Sequence, residues 1–331
     1  MSATPSLDTL LSTMHVVSIP MQVRFRGVMH REIALFAGPS GWGEFSPFLE
    51  YDAPEAARWL DAAIDAAWGS WPAPLRSSVP VNSTVPAVEA SEVSAVLARY
   101  DGCRTAKVKV AERGQALTDD VSRVAAVRDA MGADAFVRID ANGGWSVDDA
   151  ASAIAALAPY GLEYVEQPCA TVEELVDLRK LLARNGIDVL IAADESIRKA
   201  EDPLRVARLG AADVAVVKVA PLGGVAAALQ IATDAGLPTV VSSAIDSSVG
   251  IASGVALAAA LPELPHACGL GTLELMAGDV VADSLVPQRG SIAVRRPEPV
   301  AALLEERRAP EDRQAWWRDR VAACFAHLTR H

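Results

Sequence analysis

Cysteine is scarce in this chain and never clustered. Cys103, Cys169, Cys268 and Cys324 lie far apart with no CxxC pair, so neither a zinc knuckle nor a disulfide framework is suggested. Basic residues are in deficit: 30 Lys and Arg against 42 Asp and Glu leave a net charge of −12. A chain of that sign gains nothing from counterion release on DNA or RNA, which argues against a nucleic-acid partner. Long apolar runs are missing too. The most apolar stretch, 249–261, is too short to cross a bilayer and is rich in Ala and Gly, so no membrane role is expected. The opening residues, MSATPSLDTLLSTMHVV, lack a basic segment followed by an apolar core. No secretory signal is read there, and a cytoplasmic enzyme is the expectation. There is no low-complexity tract or solenoid repeat, and nothing sets an oligomeric state.

What is present is a rhythm. At 331 residues, about half of them apolar, the chain suits one large domain with a smaller one. Short β-rich runs at 79–85, 105–110, 135–141, 162–168, 189–195, 214–220, 238–245 and 266–270 alternate with helical runs such as 118–131, 146–160, 171–185 and 223–235. Helix starts carry Thr, Ser or Asp, and Gly132, Gly161, Gly186 and Gly236 mark helix ends. A helix between successive strands makes those strands parallel. Eight strands within this span suggest an α/β fold of the (β/α)8 TIM-barrel type; periodicity alone also allows a doubly wound sheet, and the placement of the polar residues favours the barrel. The flanks break the rhythm. Residues 14–48 read as strands with turns, 52–68 as a helix, and the tail from about 286 as a strand and a final helix. The expected division is an α+β capping domain from 1–77, completed by 286–331, over a barrel spanning 78–285.

The barrel strands carry charges where strands buried on both faces should be apolar. Lys107 and Lys109, Arg138 and Asp140, Glu166, Asp194 with Glu195, and Lys218 fall on five successive strands. An ionised group removed from water must be paired or bound to a metal. The intervals from Lys109 to Asp140, Glu166, Asp194 and Lys218 each match one strand–helix unit, so these residues belong on adjacent staves at similar depth. Side-chain alternation puts Lys107 on the same face as Lys109, one layer deeper. Barrel enzymes build their sites at the C-terminal ends of the strands. Asp140, Glu166 and Asp194 form a hard-oxygen set suited to Mg²⁺, with Mn²⁺ as a substitute, and no His or Cys among them favours zinc. The other reading is an ion-pair belt of these carboxylates and lysines. With a metal between them, Lys109 and Lys218 make a site for removing a proton α to a carboxylate, on a small-molecule carboxylate substrate.

These residues resemble the enolase superfamily, whose members pair a Lys or His base with Mg²⁺. The strings KVKV, VRIDAN, VEQPC, ADES, VVKVAPLGG, VSSAIDSSVGI and GLGTLELM are similar, in order and across the whole barrel, to the motifs of the o-succinylbenzoate synthase family in its muconate-lactonising branch. The resemblance implies a modified barrel and Mg²⁺ held by Asp140, Glu166 and Asp194. It implies that Lys109 removes the α-proton and returns it to the departing hydroxyl in a syn elimination. Lys218 would stabilise the enolate as a cation, and Lys107 would support the base and a carboxylate. The implied reaction is dehydration of 2-succinyl-6-hydroxy-2,4-cyclohexadiene-1-carboxylate to o-succinylbenzoate, in menaquinone biosynthesis. An N-succinylamino acid racemase or dipeptide epimerase would use the same metal and lysines, as would a muconate-type cycloisomerase. A non-catalytic relative would be expected to have lost a ligand or a lysine, and none is lost.

Other positions carry less specific expectations. Ser242 and Ser243, with Ile245 and Asp246, match the region that contacts substrate in that family, or serve as ordinary strand-end caps. Gly269, in the segment to Leu273, offers backbone N–H groups to a carboxylate or simply a tight turn. Asn142 reads as an orienting group for Asp140 or a turn residue, and Glu195 as a structural ion pair. Cys169 reads as a buried thiol, His266 as a turn or core residue, and Trp316 and Trp317 as helix packing. In the cap, 23–32 and 41–54 resemble the loops that close over substrate, with Arg24 and Arg26 as partners for a succinyl carboxylate or as surface charges.

Overall fold

The computed structural model describes residues 4–25, 27–198 and 202–328. Strands β1 (Met14–Phe25), β2 (Val28–Gly38) and β3 (Gly41–Phe45) come first, then β4 (Ser78–Pro80) and β5 (Ser83–Val85). The parallel series continues with β6 (Thr105–Lys109), β7 (Phe136–Asp140), β8 (Leu162–Glu166), β9 (Leu190–Ala193), β10 (Val214–Val217) and β11 (Thr239–Val241); β12 (Ser291–Ala293) is the last strand. Strands β5 to β11 form one seven-stranded sheet in sequential order, with a parallel register throughout.

The eighth stave is not a strand. Residues 266–270 make only single bridges: Cys268 to Val81 on one edge and Gly269 to Ser242 on the other. Those bridges still close the sheet on itself. The Cys268 N–H donates to Pro80 and the Gly269 N–H to Val241, both at 2.8 Å. The first expected strand is also divided, because β4 leaves the barrel to pair antiparallel with β12. Ile292 of β12 lies in the barrel core with Val79 and Val81.

The outer helices form where expected: Leu117–Met131, Val147–Leu157, Val172–Arg184 and Val225–Ala235. Thr171 and Glu174 cap one reciprocally: each backbone N–H donates to the other's side chain, at 2.9 and 3.2 Å. Leu175, Leu178 and Leu182 on that helix are buried against the strands. The apolar stretch near 249–261 is the helix Ser248–Ala260, buried along its length. No helix among the described residues is long and apolar enough to cross a membrane.

The cap is the β1–β2–β3 antiparallel meander with the helix Ala53–Trp68 laid on it. Gly43 allows that approach, since a Cβ there would run into the Ala63 carbonyl. The final helix, Glu311–Ala326, adds buried Trp317, Val321 and Cys324 to the same core. Trp317 meets Phe45 edge-on, and its indole N–H donates to Glu32 at 2.7 Å. Trp316 stacks edge-on against Trp317. Ile245, Val249, Leu273, Leu275 and Met276, from the C-terminal end of the barrel, belong to this core, so the cap sits over the barrel mouth.

Candidate active site

Strand ends place the charged groups. Lys109, Asp140 and Glu166 are the last residues of β6, β7 and β8, while Asp194 and Lys218 directly follow β9 and β10. Register pairs Lys109 with Asp140 and Asp140 with Glu166, so the three share a layer. All five, and Lys107, are at least nine-tenths buried. Taking such ions out of water costs several kcal/mol each, and here they offset one another. Lys109 bonds Asp140 Oδ2. Lys107 reaches Glu166 Oε1 at 2.8 Å and Asp140 Oδ2 at 3.2 Å. Lys218 reaches Asp194 Oδ2 at 2.6 Å.

The electrostatics follow from that geometry. Burial pushes the Asp140 carboxyl up, but Lys109 and Lys107 outweigh it and hold the group well below the usual carboxylate range. Burial likewise raises Asp194, and Lys218 and Arg198 bring it down to about 2. Glu166 goes the other way: burial and the charge of Asp140 push it up to about 7. Burial, helped by Lys107, keeps the Lys109 ammonium below its ordinary value despite Asp140. Lys107 stays above its ordinary value, because Glu166 and Asp140 together overcome its burial. The two lysines of one strand are thus driven apart, and Lys109 is the one more easily left neutral.

The donor set fits a divalent cation. Glu166 Oε2 is buried and has no hydrogen-bond partner, a costly condition that a cation would relieve. Three carboxylates repel one another across the layer, and hard oxygens are the donors that Mg²⁺ selects. In this arrangement the lysines and Arg198 occupy them, and no three His, Cys, Asp or Glu side chains among the described residues are gathered as a metal cage.

A narrow cavity opens over this layer. Lys109 and Lys218 both line it, as do Ser242, Ser243, Gly269 and Thr272. The cap supplies Phe25, Phe48 and Trp59, and the Lys109 ammonium lies 5.3 Å from the Phe25 ring centre. Ser243 Oγ donates to the Gly269 carbonyl at 2.7 Å and pairs with Thr272 Oγ1 at 2.8 Å. Within the segment Gly269–Leu273, expected to offer N–H groups to a carboxylate, the Gly269 N–H itself is not free for this, because it closes the barrel onto Val241. A Cβ at Gly269 would stand 2.6 Å from Ser242 Oγ, so the serine hydroxyl would have to move.

The remaining expected residues fall as follows. Asn142, in a left-handed conformation at φ 46°, donates its N–H to Asp140 Oδ1 at 3.0 Å and accepts from Lys109 at 2.6 Å. Glu195 is paired with Arg198 at 2.6 Å. Cys169 is a buried free thiol, pushed by burial up to about 12. His266 contacts Glu163 at 2.7 Å, and Glu163 in turn binds Arg138, a network outside the cavity lining. Arg24 is exposed, since alternation along β1 turns Phe25 inward instead. Arg26 lies outside the described residues.

Sequence reasoning missed two supports. Gln167 accepts the Asp194 and Ser196 N–H groups at 3.0 and 3.1 Å, which ties the end of β8 to the turn after β9. Arg198 holds Asp194 Oδ1 at 3.1 Å and the Tyr51 hydroxyl at 3.1 Å. A helical i,i+4 spacing from Asp194 was the available signal for Arg198.

Comparison with known proteins shows the family and the fold. Residues 90–299 match the family model described as enolase C-terminal domain-like, and 16–67 the enolase N-terminal domain-like model. An o-succinylbenzoate synthase of Mycolicibacterium smegmatis is 61% identical over 323 residues, covering 97% of this chain and 98% of the relative. One from Mycobacterium tuberculosis is 56% identical, covering 98% of this chain and 97% of its own. Among solved structures, 2-chloromuconate cycloisomerase from Rhodococcus opacus superposes with a TM-score of 0.76 at 22% identity, over 90% of this chain and 98% of that one. A dipeptide epimerase from Enterococcus faecalis gives 0.69 at 22% identity, over 86% and 96%; at such identities the likeness concerns the fold alone. With its capped barrel, its two family matches and relatives this similar along nearly the whole chain, the protein belongs to the o-succinylbenzoate synthase family of the enolase superfamily.

Proposed function

We infer that this chain is an o-succinylbenzoate synthase, a hydro-lyase of menaquinone biosynthesis. It removes water from 2-succinyl-6-hydroxy-2,4-cyclohexadiene-1-carboxylate. The observation that carries the reading is full-length identity above half to synthases of the same name. The site's geometry supports it, with two buried lysines lining one cavity above three carboxylates.

Asp140, Glu166 and Asp194 would hold the Mg²⁺, for which Mn²⁺ would substitute. When bound, the cation supplies positive charge where the substrate carboxylate becomes more negative. Lys109, kept below its ordinary pKa, takes the proton from C1 through its neutral amine. The C1–H electron pair moves into the ring and the C6–O bond breaks. The same ammonium then gives its proton to the leaving hydroxyl, so water departs and the ring becomes aromatic. Lys218, on the opposite flank, faces the developing negative charge as a cation. Lys107 holds Glu166 and Asp140 and adds the positive charge that keeps Lys109 deprotonatable. Ser242 and Ser243 would contact the substrate, and the aromatic cap wall would exclude water from the ring.

A side-by-side assay tests the reading. Purified protein with Mg²⁺ is given the cyclohexadiene carboxylate and followed by ultraviolet absorbance, and in parallel N-succinylamino acids are followed by α-proton exchange in D₂O. Rapid aromatisation with slow or absent exchange is expected. The reverse would move the protein to the racemases while keeping the lysine roles.

A further inference from the structure

Arg31 was not singled out by the sequence, and the chemistry above does not use it. It lies on β2 and is 3% exposed. Its guanidinium reaches from the cap to the loop after β11, where Nε donates to the Ile245 carbonyl at 2.9 Å and Nη2 to the Ala244 carbonyl at 3.1 Å. Nη2 also holds the Ser46 carbonyl, and the group lies over the Phe48 ring at 4.7 Å. Ala244, Ile245 and Phe48 all line the cavity.

The loop needs such a hold. Ile245 has φ 62°, a left-handed conformation that a β-branched residue adopts only when its surroundings impose it. Arg31 takes two successive carbonyls of this turn. Asp246 accepts the Ala244 N–H at 3.2 Å, and Glu44 accepts the Ser247 N–H at 3.1 Å. A planar fork of donors suits this task, and a lysine ammonium cannot reproduce it.

We propose that Arg31 is a positioning residue for substrate recognition, clamping the Ala244–Ile245 turn and the Phe48 ring into one wall of the cavity. Its kinetic consequence rests on the proposed function, whereas the clamp itself does not.

The test compares Arg31→Met, Arg31→Lys and Val321→Ala, the last a buried cap-core change at a residue that does not line the cavity, by dehydration kinetics, thermal unfolding and hydrogen exchange of residues 244–248. Misplacing a wall that orients substrate is expected to raise KM about tenfold or more in Arg31→Met, with a smaller change in kcat. Arg31→Lys should show a lesser rise, and exchange at 244–248 should quicken in both. Val321→Ala should lower the unfolding temperature without moving KM or that exchange. The proposal is overturned if the Arg31 variants keep the parent KM and exchange, or if Val321→Ala moves KM equally. If Arg31→Met does not fold, Arg31→Lys decides the matter by the same two readouts. A parent protein that fails to aromatise its substrate would refute the function, and exchange at 244–248 would still decide the clamp.

Discussion

Lys109 is held between Asp140, Asn142 and the Phe25 ring. Removing it as Lys109→Ala should cut kcat by roughly 10²–10⁴-fold, while a calorimetric Mg²⁺ titration stays nearly unchanged; retained turnover would refute its role as base. Asp194→Asn should weaken that titration by about tenfold or more, at least what loss of an outer partner costs a metal site. An unchanged titration would strike Asp194 from the ligands. These residues were legible in the sequence because a charge on a doubly buried strand is expensive, and such a position seldom survives without a task. Arg31 was not legible. Its partners Ala244 and Ile245 are 213 and 214 residues away along the chain, and a lone arginine on a cap strand looks like surface charge. The close approach of Gly269 to Ser242 was not legible either, since only the closed barrel creates that contact.

Regular elements carry the site by ending at the right residue. The strands β6, β7 and β8 stop at the charged group itself, because beyond it the chain turns outward to its helix. Alternation and caps made most of these elements readable. The eighth stave was expected at the right place, 266–270, but as a strand; it pairs only through single bridges at Cys268 and Gly269, too few for a regular ladder. The first expected strand divided because Val79 and its neighbours meet β12, a partner more than 200 residues later. Helix ends can be tested separately from chemistry. Thr171→Ala removes one half of the reciprocal cap on Val172–Arg184. It should lower stability by about 1 kcal/mol in urea unfolding and leave kcat unchanged; a fall in kcat would tie that helix to the site.

At the scale of the molecule, the cap and the barrel mouth share one core, and a buried polar junction lies within it. Glu44 of β3 accepts from Ser247 and Gly250 at the start of the helix Ser248–Ala260. Burial and the neighbouring Asp246 push its carboxyl up to about 8 from an ordinary value of 4.5. The folded protein therefore binds more protons than the unfolded chain between those values. Stability from this group is full below about pH 4.5 and is lost as pH rises toward 8. Unfolding followed from pH 5 to 8 should show that decline, to which Glu166, pushed up to about 7, adds, and Glu44→Gln should make it shallower; an equal decline in the variant would place its cause elsewhere. The two-part organisation could be read from the break in rhythm at either end of the chain. The docking of cap on barrel could not, since it rests on pairs such as Glu44 with Ser247, which no local pattern announces.

The central claim is that a divalent cation on Asp140, Glu166 and Asp194, with Lys109 as base, makes this chain a dehydratase. The most direct measurement is the absorbance change of the cyclohexadiene carboxylate with enzyme stripped by a chelator and then given Mg²⁺. Silence after stripping and aromatisation on repletion are expected. Aromatisation at full rate by the stripped enzyme, or none after Mg²⁺ is restored, would contradict it.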